Sequence, residues 1–312
     1  NGISGRATLV NCNLQYVGMQ INPSSSFTES TLLDLVTADG RSGFMVRIAR
    51  HVDEGRAWVW LVAFSPHGVF GFAEDRLSCS HDRTTDDGSM ATYEAQFGLE
   101  RGIEAVLSRR GSSLVPVGGA CVVDVRGHGV PDIPRGPGAD RIRLEATFEI
   151  RGQRAGSNLP GRTESIAEVD ARLSVAGQTF SLSGLGQFHE QLQDAPRFDT
   201  PFTYLSLRGQ HLSMIGLRGP RAGGAVLITD SKTEARQGLD VEPIDLENVM
   251  KTRKFRVGSL GNLAPSVSGT AEPTLFYSIP IGTGRRPSLI VRGEIEGHSV
   301  SGFINDWVPR SS

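Results

Sequence analysis

The sequence of 312 residues has no apolar run that approaches the roughly 20 residues needed to cross a membrane as a helix, so we predict no membrane span. The net charge is also small: the sequence has 32 Lys and Arg residues and 34 Asp and Glu residues, for a formal net charge of −2. A nucleic-acid partner is not expected, since phosphate contacts require a basic excess. The first residues show neither the basic nor the apolar segment of a signal peptide, and we expect a cytoplasmic location.

Cysteine is scarce as well. Cys12, Cys79 and Cys121 form an odd, widely spaced set that suits neither a disulfide framework nor a zinc cluster, and it agrees with a reducing cytoplasm. The patterns H-E-x-x-H and C-x-x-C are absent, so no metal is predicted. The Gly-rich run 216–224 joins two predicted strands and opens no helix, which argues against a phosphate-binding loop. The sequence therefore predicts no cofactor.

Long amphipathic runs are few, whereas glycine (38) and proline (16) are plentiful. With many short stretches of alternating apolar residues, this composition predicts an all-β protein. Only Asp245–Lys251 looks helical, although Ile103–Leu107 could be a strand or a helical turn. The strands predicted are Thr28–Val36, Ser42–Ala49, Ala57–Phe64, Val69–Ala73, Met90–Phe97, Ile103–Arg109, Cys121–Arg126, Arg141–Ile150, Glu168–Ala176, Thr179–Gly184, Phe202–Leu207, His211–Leu217, Ala225–Thr229, Arg253–Val257, Thr274–Ile279, Ser288–Glu296 and Ser299–Val308.

The predicted hairpins follow one another as a meander, which favours two tandem antiparallel β-barrels or curled sandwiches. The loop Gly127–Asp140, dense in glycine and proline, is the candidate boundary, and Arg141–Ile150 completes the first sheet. We therefore expect one domain at residues 1–150 and a second at residues 151–312. The pattern does not predict an oligomeric state.

The predicted strand Ala57–Phe64 is apolar on both faces, and Trp58 and Trp60 share one of them. Two tryptophans in one row have two explanations. They could form a bulky core beneath a sheet, or they could line an apolar cavity that binds a hydrophobic small molecule.

His189 and Glu190 stand side by side just after the predicted strand Thr179–Gly184 and two glycines. A neighbouring base and acid suit proton transfer, although a paired surface turn would look the same. In an extended segment, adjacent side chains point to opposite faces, so only one of the two would enter a cavity and the other would orient it from behind. We predict His189 and Glu190 as the catalytic pair.

Weaker candidates come from other strands, and each also has a structural explanation. Asp34 lies among leucines, where an exposed position on a one-sided sheet is the alternative to ligand contact. Arg47 and Glu54 are expected to form an ion pair that fixes a hairpin. The predicted substrate-binding residues are Trp58, Trp60, Asp34, Gln187, Gln191, Tyr204, His211 and Trp307.

Two stretches carry a family resemblance. Arg47, Glu54, Gly55 and Ala57 match the pattern R-x-x-x-x-x-x-E-G-x-A, and the segment Val175–Gln191 is similar to a glycine-containing strand that leads to an acidic or His pair. In both respects the sequence resembles the carotenoid hydratase (hydroxyneurosporene synthase) and AttH-like family. It departs from the family where Gln191 replaces a usual His or Ser, and where Leu192-Gln193 replaces Trp-Gly.

The resemblance implies two tandem lipocalin-like (calycin) β-barrels, in agreement with the predicted strands. It also implies a cofactor-independent lyase or isomerase, a hydratase or cyclase, that acts on a hydrophobic polyene or terpenoid-like secondary metabolite. The family's relatives include Diels–Alderases, so a pericyclase that uses cavity shape is one alternative. A non-catalytic carrier of a lipid or pigment is the other. The implied partner in every case is a hydrophobic small molecule.

Overall fold

The computed structural model describes residues 28–66, 68–84, 89–97, 103–126, 141–156, 161–175, 177–193, 200–219, 223–230, 232–258, 265–281 and 284–307. These residues are almost entirely β-strand, with one short 3-10 turn at Val52–Glu54, and the all-β prediction is confirmed. Within these ranges, no helix has the length and apolar character required to span a membrane.

Ten antiparallel strands close the first sheet into a barrel, because β1 pairs with β2 on one side and with β10 on the other. Consecutive strands are neighbours throughout, as a meander of hairpins requires. The strands are β1 Thr28–Val36, β2 Gly43–His51, β3 Arg56–Ser65, β4 Gly68–Ser78, β5 Met90–Phe97, β6 Ile103–Gly111, β7 Pro116–Arg126, β8 Arg141–Gly156, β9 Arg162–Val175 and β10 Gln178–Gln193.

Nine strands form the second sheet, which stays open, in the order β14-β13-β12-β11-β19-β18-β17-β16-β15. The last strand of the chain, β19, is therefore central and lies between β11 and β18. The strands are β11 Phe202–Arg208, β12 Leu212–Arg218, β13 Gly223–Thr229, β14 Thr233–Gln237, β15 Asp240–Val241, β16 Arg253–Val257, β17 Val267–Ile281, β18 Gly284–Ile295 and β19 His298–Trp307.

The interior of the barrel is an apolar core. Strict alternation sends Leu33 and Leu35 inward to join Phe148 and Phe188, and sends Leu32 and Asp34 outward. The tryptophan row of β3 belongs to the outward face, where it packs against the second sheet. The two halves of the chain therefore meet across a buried layer, formed by the outer faces of β1, β2, β3, β9 and β10 and by one face of β11, β12, β13, β17, β18 and β19.

The expected domain boundary at residue 150 needs correction. β8 continues past it to Gly156 and pairs with both β7 and β9, so Arg162–Val175 and Gln178–Gln193 complete the barrel instead of starting the second half. The two sheets divide the chain between residues 193 and 202. A loop rich in glycine and proline marks a break between strands, but it does not show which sheet the next strand joins.

Other expectations are also settled. Asp245–Lys251 is not a helix but a pair of turns. The Asp245 carboxylate accepts hydrogen bonds there from the backbone N–H groups of Glu247 and Asn248. Ile103–Leu107 is a strand. The candidate boundary loop and Cys12 lie outside the described residues, and Cys79 and Cys121 are free thiols.

Candidate functional site in the layer between the two sheets

β10 sends His189 and Glu190 to opposite faces, as an extended strand must. The Glu190 side chain points into the barrel, where its Oε1 accepts hydrogen bonds from Arg109 Nε and the Tyr93 hydroxyl, each at 2.8 Å. Both members of the Arg109–Glu190 pair are buried. Burial, together with the Glu190 charge, raises the pKa of Tyr93 above its ordinary value. Glu190 is thus part of a closed network in the barrel.

Asp34 and Gln187 face each other across the β1–β10 pair, and both are buried on the outward face. The backbone N–H of Gln187 donates to Asp34 Oδ1 at 2.9 Å. Arg208, from β11 of the second sheet, forms an ion pair with the same carboxylate. The exposed position considered for Asp34 is wrong, because the second sheet covers this face of β1.

Gln187 links the two halves of the chain. Its Nε2 donates to Glu164 Oε2 of the neighbouring strand β9 and, at 2.6 Å, to the hydroxyl of Tyr204 on β11. Arg162 forms an ion pair with Glu164 and lies over the Tyr204 ring, with its Cζ 4.7 Å from the ring centroid. Gln187 and Tyr204, both predicted from the sequence, therefore belong to one buried cluster.

His189 lies in the same cluster. Its Nδ1 is 3.9 Å from Glu164 Oε2 and 3.5 Å from Arg162 Nη2, and the imidazole is buried. The structure thus separates the predicted catalytic pair, placing His189 between the two sheets and Glu190 inside the barrel.

The second sheet meets this cluster with a row of four polar residues on adjacent strands. The register pairs Tyr204 with Asn305, Asn305 with Ser288, and Ser288 with Tyr277. All four are buried. Four neighbouring polar side chains on the buried face of a sheet are unusual for a packing surface, because each buried polar group needs a hydrogen-bond partner.

We define the inter-sheet polar layer as Asp34, Glu164, Gln187 and His189 of the barrel with Tyr204, Arg208, Tyr277, Arg286, Ser288 and Asn305 of the second sheet. Several of its polar atoms lack a hydrogen-bond partner among the described residues. They include Gln187 Oε1, Arg208 Nε, Arg208 Nη2 and Asn305 Oδ1. Such atoms are available to a ligand or to bound water.

Burial sets the electrostatics of this layer. It raises the pKa of Asp34 to about 6, although the Arg208 charge opposes the shift. It also raises the pKa of Glu164 against the attraction of Arg162. Carboxyl groups of this kind retain a proton at higher pH than exposed ones, which is the property a general acid requires.

The predicted tryptophans lie at the edge of the layer. Trp58, Trp60 and Trp307 are all buried in the apolar cluster that joins the two sheets. Two guanidinium groups also lie over the Trp60 ring, with the Cζ atoms of Arg47 and Arg286 at 5.2 and 5.5 Å from its centroid. The tryptophan row thus belongs to the contact between the halves, and the barrel interior holds a separate packed core.

His211 and Gln191 make no contact with the cluster that is described above. His211 is exposed in the turn before β12, one residue outside the strand, and its Nδ1 is 3.4 Å from Asp230 Oδ2. Gln191 lies on the same face of β10 as His189, opposite Arg162. Gln191 is buried and donates to Gln193 at 3.1 Å. The predicted ion pair between Arg47 and Glu54 is wrong. Glu54 forms an ion pair with Arg56, and Arg47 donates hydrogen bonds to the Ser30 hydroxyl.

A small cleft lies between the barrel and the second sheet. Ile166 and Leu185 of the barrel form one wall, and His211 and Ile228 of the second sheet form the other. Ile166 also packs in the apolar cluster that contains Tyr204. The cleft volume is about 70 Å³, whereas pockets for drug-sized molecules measure roughly 300–1,000 Å³. It is therefore too small to hold a whole ligand of that size.

The sequence patterns did not single out Glu164, Arg208, Asn305, Ser288, Tyr277 and Arg286. Each lies on a predicted strand or within six residues of one, but only the register of the two sheets brings them together. Across the part of the chain that is described, no group of His, Cys, Asp and Glu has the arrangement of a metal site.

No family model and no curated protein matches the chain. Solved structures do match over nearly the full length. CghA with Sch210972 superposes with a TM-score of 0.63 at 13% identity, covering 94% of each chain. A protein from Nitrosomonas europaea proposed to be AttH gives 0.59 at 10% identity, covering 98% of each chain. Kievitone hydratase from Nectria haematococca gives 0.51 at 9% identity, covering 96% of this chain and 94% of its own.

At identities this low, the likeness establishes the fold and not the reaction. The AttH-like and hydratase neighbours agree with the resemblance predicted from the two sequence stretches. The fold implied by that resemblance, two tandem lipocalin-like units, is confirmed.

Proposed function

We propose that the protein is a cofactor-independent hydratase or cyclase that protonates a hydrophobic, unsaturated small molecule within the inter-sheet polar layer. The observation that supports this most is the pair of carboxyl groups, Asp34 and Glu164, that are buried there with raised pKa values. In this proposal Asp34 replaces Glu190 as the acid, because Glu190 is held inside the barrel by Arg109 and Tyr93.

The reaction requires one proton donor and one proton acceptor. Asp34 transfers its proton to an alkene carbon of the ligand, and the adjacent carbon becomes electron-deficient. In a hydration, water adds to that carbon and loses a proton to His189; in a cyclisation, a second double bond attacks and His189 removes a proton from the product. Exchange with solvent returns a proton to Asp34 and removes one from His189. Glu164, 3.9 Å from His189 Nδ1, stabilises the imidazolium.

A second candidate is a pericyclase, in which the layer only folds its ligand and polarises a carbonyl. Arg208 Nε and Nη2 favour it, because they are buried donors without hydrogen-bond partners among the described residues. A carrier of a hydrophobic molecule is the third candidate, and it would use the same layer without turnover.

The test begins with native mass spectrometry of the purified protein, to identify a hydrophobic molecule that co-purifies. That molecule is then incubated with the protein in water labelled with oxygen-18 or deuterium. A hydratase places the oxygen label in the product, and a cyclase places deuterium on carbon. Complete absence of turnover favours the carrier.

Two variants separate the catalytic candidates. Asp34→Asn and His189→Gln should abolish turnover while ligand binding persists, whereas Asp170→Asn, an exposed position on β9, should leave turnover unchanged. A pericyclase would keep most of its rate in both site variants, and that result would contradict acid–base catalysis.

A further inference from the structure

Three arginines and two carboxyl groups lie in and beside the inter-sheet polar layer, with little exposure to solvent. Arg162 pairs with Glu164 and Arg208 pairs with Asp34, so the two carboxylates are already matched by one arginine each. The third, Arg286, lies close to the Trp60 ring. These residues therefore carry more positive than negative charge.

Arg286 shows this imbalance most directly. It is only 5% exposed, and its contacts are a long hydrogen bond from Nη1 to Met45 Sδ at 3.8 Å and the Trp60 ring. Among the described residues, no carboxylate forms an ion pair with its guanidinium, and the Asp34 charge attracts it only from a longer distance. Burial accordingly lowers the pKa of Arg286. A buried guanidinium without an ion-pair partner at contact distance is costly unless an anion completes the site.

We infer that the ligand of the inter-sheet polar layer carries an acidic oxygen group, a carboxylate or an enolate, which binds the Arg286 guanidinium beside Trp60. This deepens the proposed function and rests on it. The two oxygens of a carboxylate would accept two parallel hydrogen bonds from the planar guanidinium. Ser288 and Tyr277 lie on the same face, and burial raises the pKa of Tyr277 to about 12, although the Arg286 charge opposes the shift. Both hydroxyls are therefore protonated and add donors at the same position.

An acidic group on the ligand would also stabilise the cation that forms in the proposed reaction. An electron-deficient carbon beside several guanidinium groups would be destabilised by like charge. A ligand that brings its own negative charge to Arg286 offsets that field at the point where the cation forms. The acidic group would also fix which end of a hydrophobic ligand enters the layer.

The experiment compares cis-parinaric acid, a fluorescent polyene carboxylate, with its methyl ester, and follows energy transfer from tryptophan. We expect the wild-type protein to bind the acid at least about tenfold more tightly than the ester. Arg286→Met should lose that preference while the affinity for the ester stays the same, and Arg286→Lys should retain part of it. The matched control is Arg292→Met on the same strand, where an exposed arginine pairs with Glu272 and the preference should persist.

The other possible binding results also test the inference. Equal affinity for acid and ester overturns the anion inference but leaves the proposed function standing, whereas binding of neither probe counts against both. The ligand-free stability of Arg286→Met is a second measurement, because removal of an uncompensated buried charge should maintain or raise the urea midpoint. A clearly lower midpoint would mean that the guanidinium already has its counter-charge within the protein, and would overturn the inference.

Discussion

His189 and Glu190 are neighbours in the sequence, yet their side chains lie on opposite sides of the barrel wall. His189 lies 3.9 Å from Glu164 in the layer between the sheets, and Glu190 accepts hydrogen bonds from Arg109 and Tyr93 inside the barrel. A strand with a period of two separates any adjacent pair in this way. One of the two therefore has a structural role, and the other faces the candidate site.

The first prediction concerns Glu190→Gln. The change leaves the Arg109 charge buried without its carboxylate, which should lower the free energy of unfolding by about 3–5 kcal/mol. Glu149→Gln is the control, because it breaks the exposed Arg110–Glu149 pair and should cost less than about 1 kcal/mol. Urea denaturation measures both. Equal small effects would show that the interior pair contributes nothing to stability.

The second prediction concerns the pH dependence of stability. The folded pKa of Asp34 is about 6 against an ordinary value of 3.8, so the folded state binds this proton more tightly than the unfolded state does. The contribution of Asp34 is complete below pH 3.8 and disappears as pH rises through 6, for a loss of up to about 3 kcal/mol. Asp34→Asn should remove that part of the slope.

Urea midpoints measured from pH 4 to pH 7 test this. The comparison is between slopes, because a change in packing around position 34 shifts stability by the same amount at every pH. Asp39→Asn is the control: the Thr37 hydroxyl holds the pKa of Asp39 below its usual range, so its titration lies under this window. Identical slopes in wild type and Asp34→Asn would contradict the assignment.

Sequence alternation predicted much of the fold. Thr28–Val36, Met90–Phe97 and Arg253–Val257 have the same bounds in the structure. Thr233–Gln237 was missed because its residues are mostly polar, as an edge strand allows. The strand at Thr179 was expected to end at Gly184 but continues to Gln193, because its glycines accommodate the neighbouring strand and do not interrupt pairing.

The candidate site was predictable only in part. Four candidates from the sequence do lie together in the structure: Asp34, Gln187, His189 and Tyr204. The sequence did not indicate their partners Arg208 and Glu164. Alternation reveals which face of its own strand a residue occupies. It does not reveal which strand lies across the layer, because that depends on how the two sheets pack, as in the contact between Asp34 and Arg208, which are 174 positions apart.

The third prediction concerns Gly186, which lets β1 and β10 approach each other at the candidate site. A Cβ there would lie 1.9 Å from the backbone oxygen of Asp34 and 2.6 Å from Val169 Cγ2. Because backbone cannot move aside, Gly186→Ala should cost at least about 3 kcal/mol. Gly177→Ala, where the added Cβ meets no atom within 4 Å, should cost only about 1 kcal/mol from its left-handed φ. Thermal unfolding distinguishes the two.

The fourth prediction concerns Arg253, which is fully buried in the core of the second sheet beside Phe255 and Val257. Its Nε, Nη1 and Nη2 have no hydrogen-bond partner among the described residues. Asp306, which faces the same core, is already bonded to the Thr203 hydroxyl at 2.6 Å and to a backbone N–H. Arg253 therefore carries the desolvation cost of a charge without compensating hydrogen bonds.

Arg253→Met keeps a side chain of similar length and removes that charge, so it should raise the free energy of unfolding by about 1–4 kcal/mol. Lys254→Met, at the adjacent exposed position, should change it by less than about 0.5 kcal/mol. Both are measured by urea denaturation without ligand. A loss of stability in Arg253→Met would show that the attraction between Arg253 and Asp306 across the core outweighs desolvation, and that the second sheet depends on this charge pair.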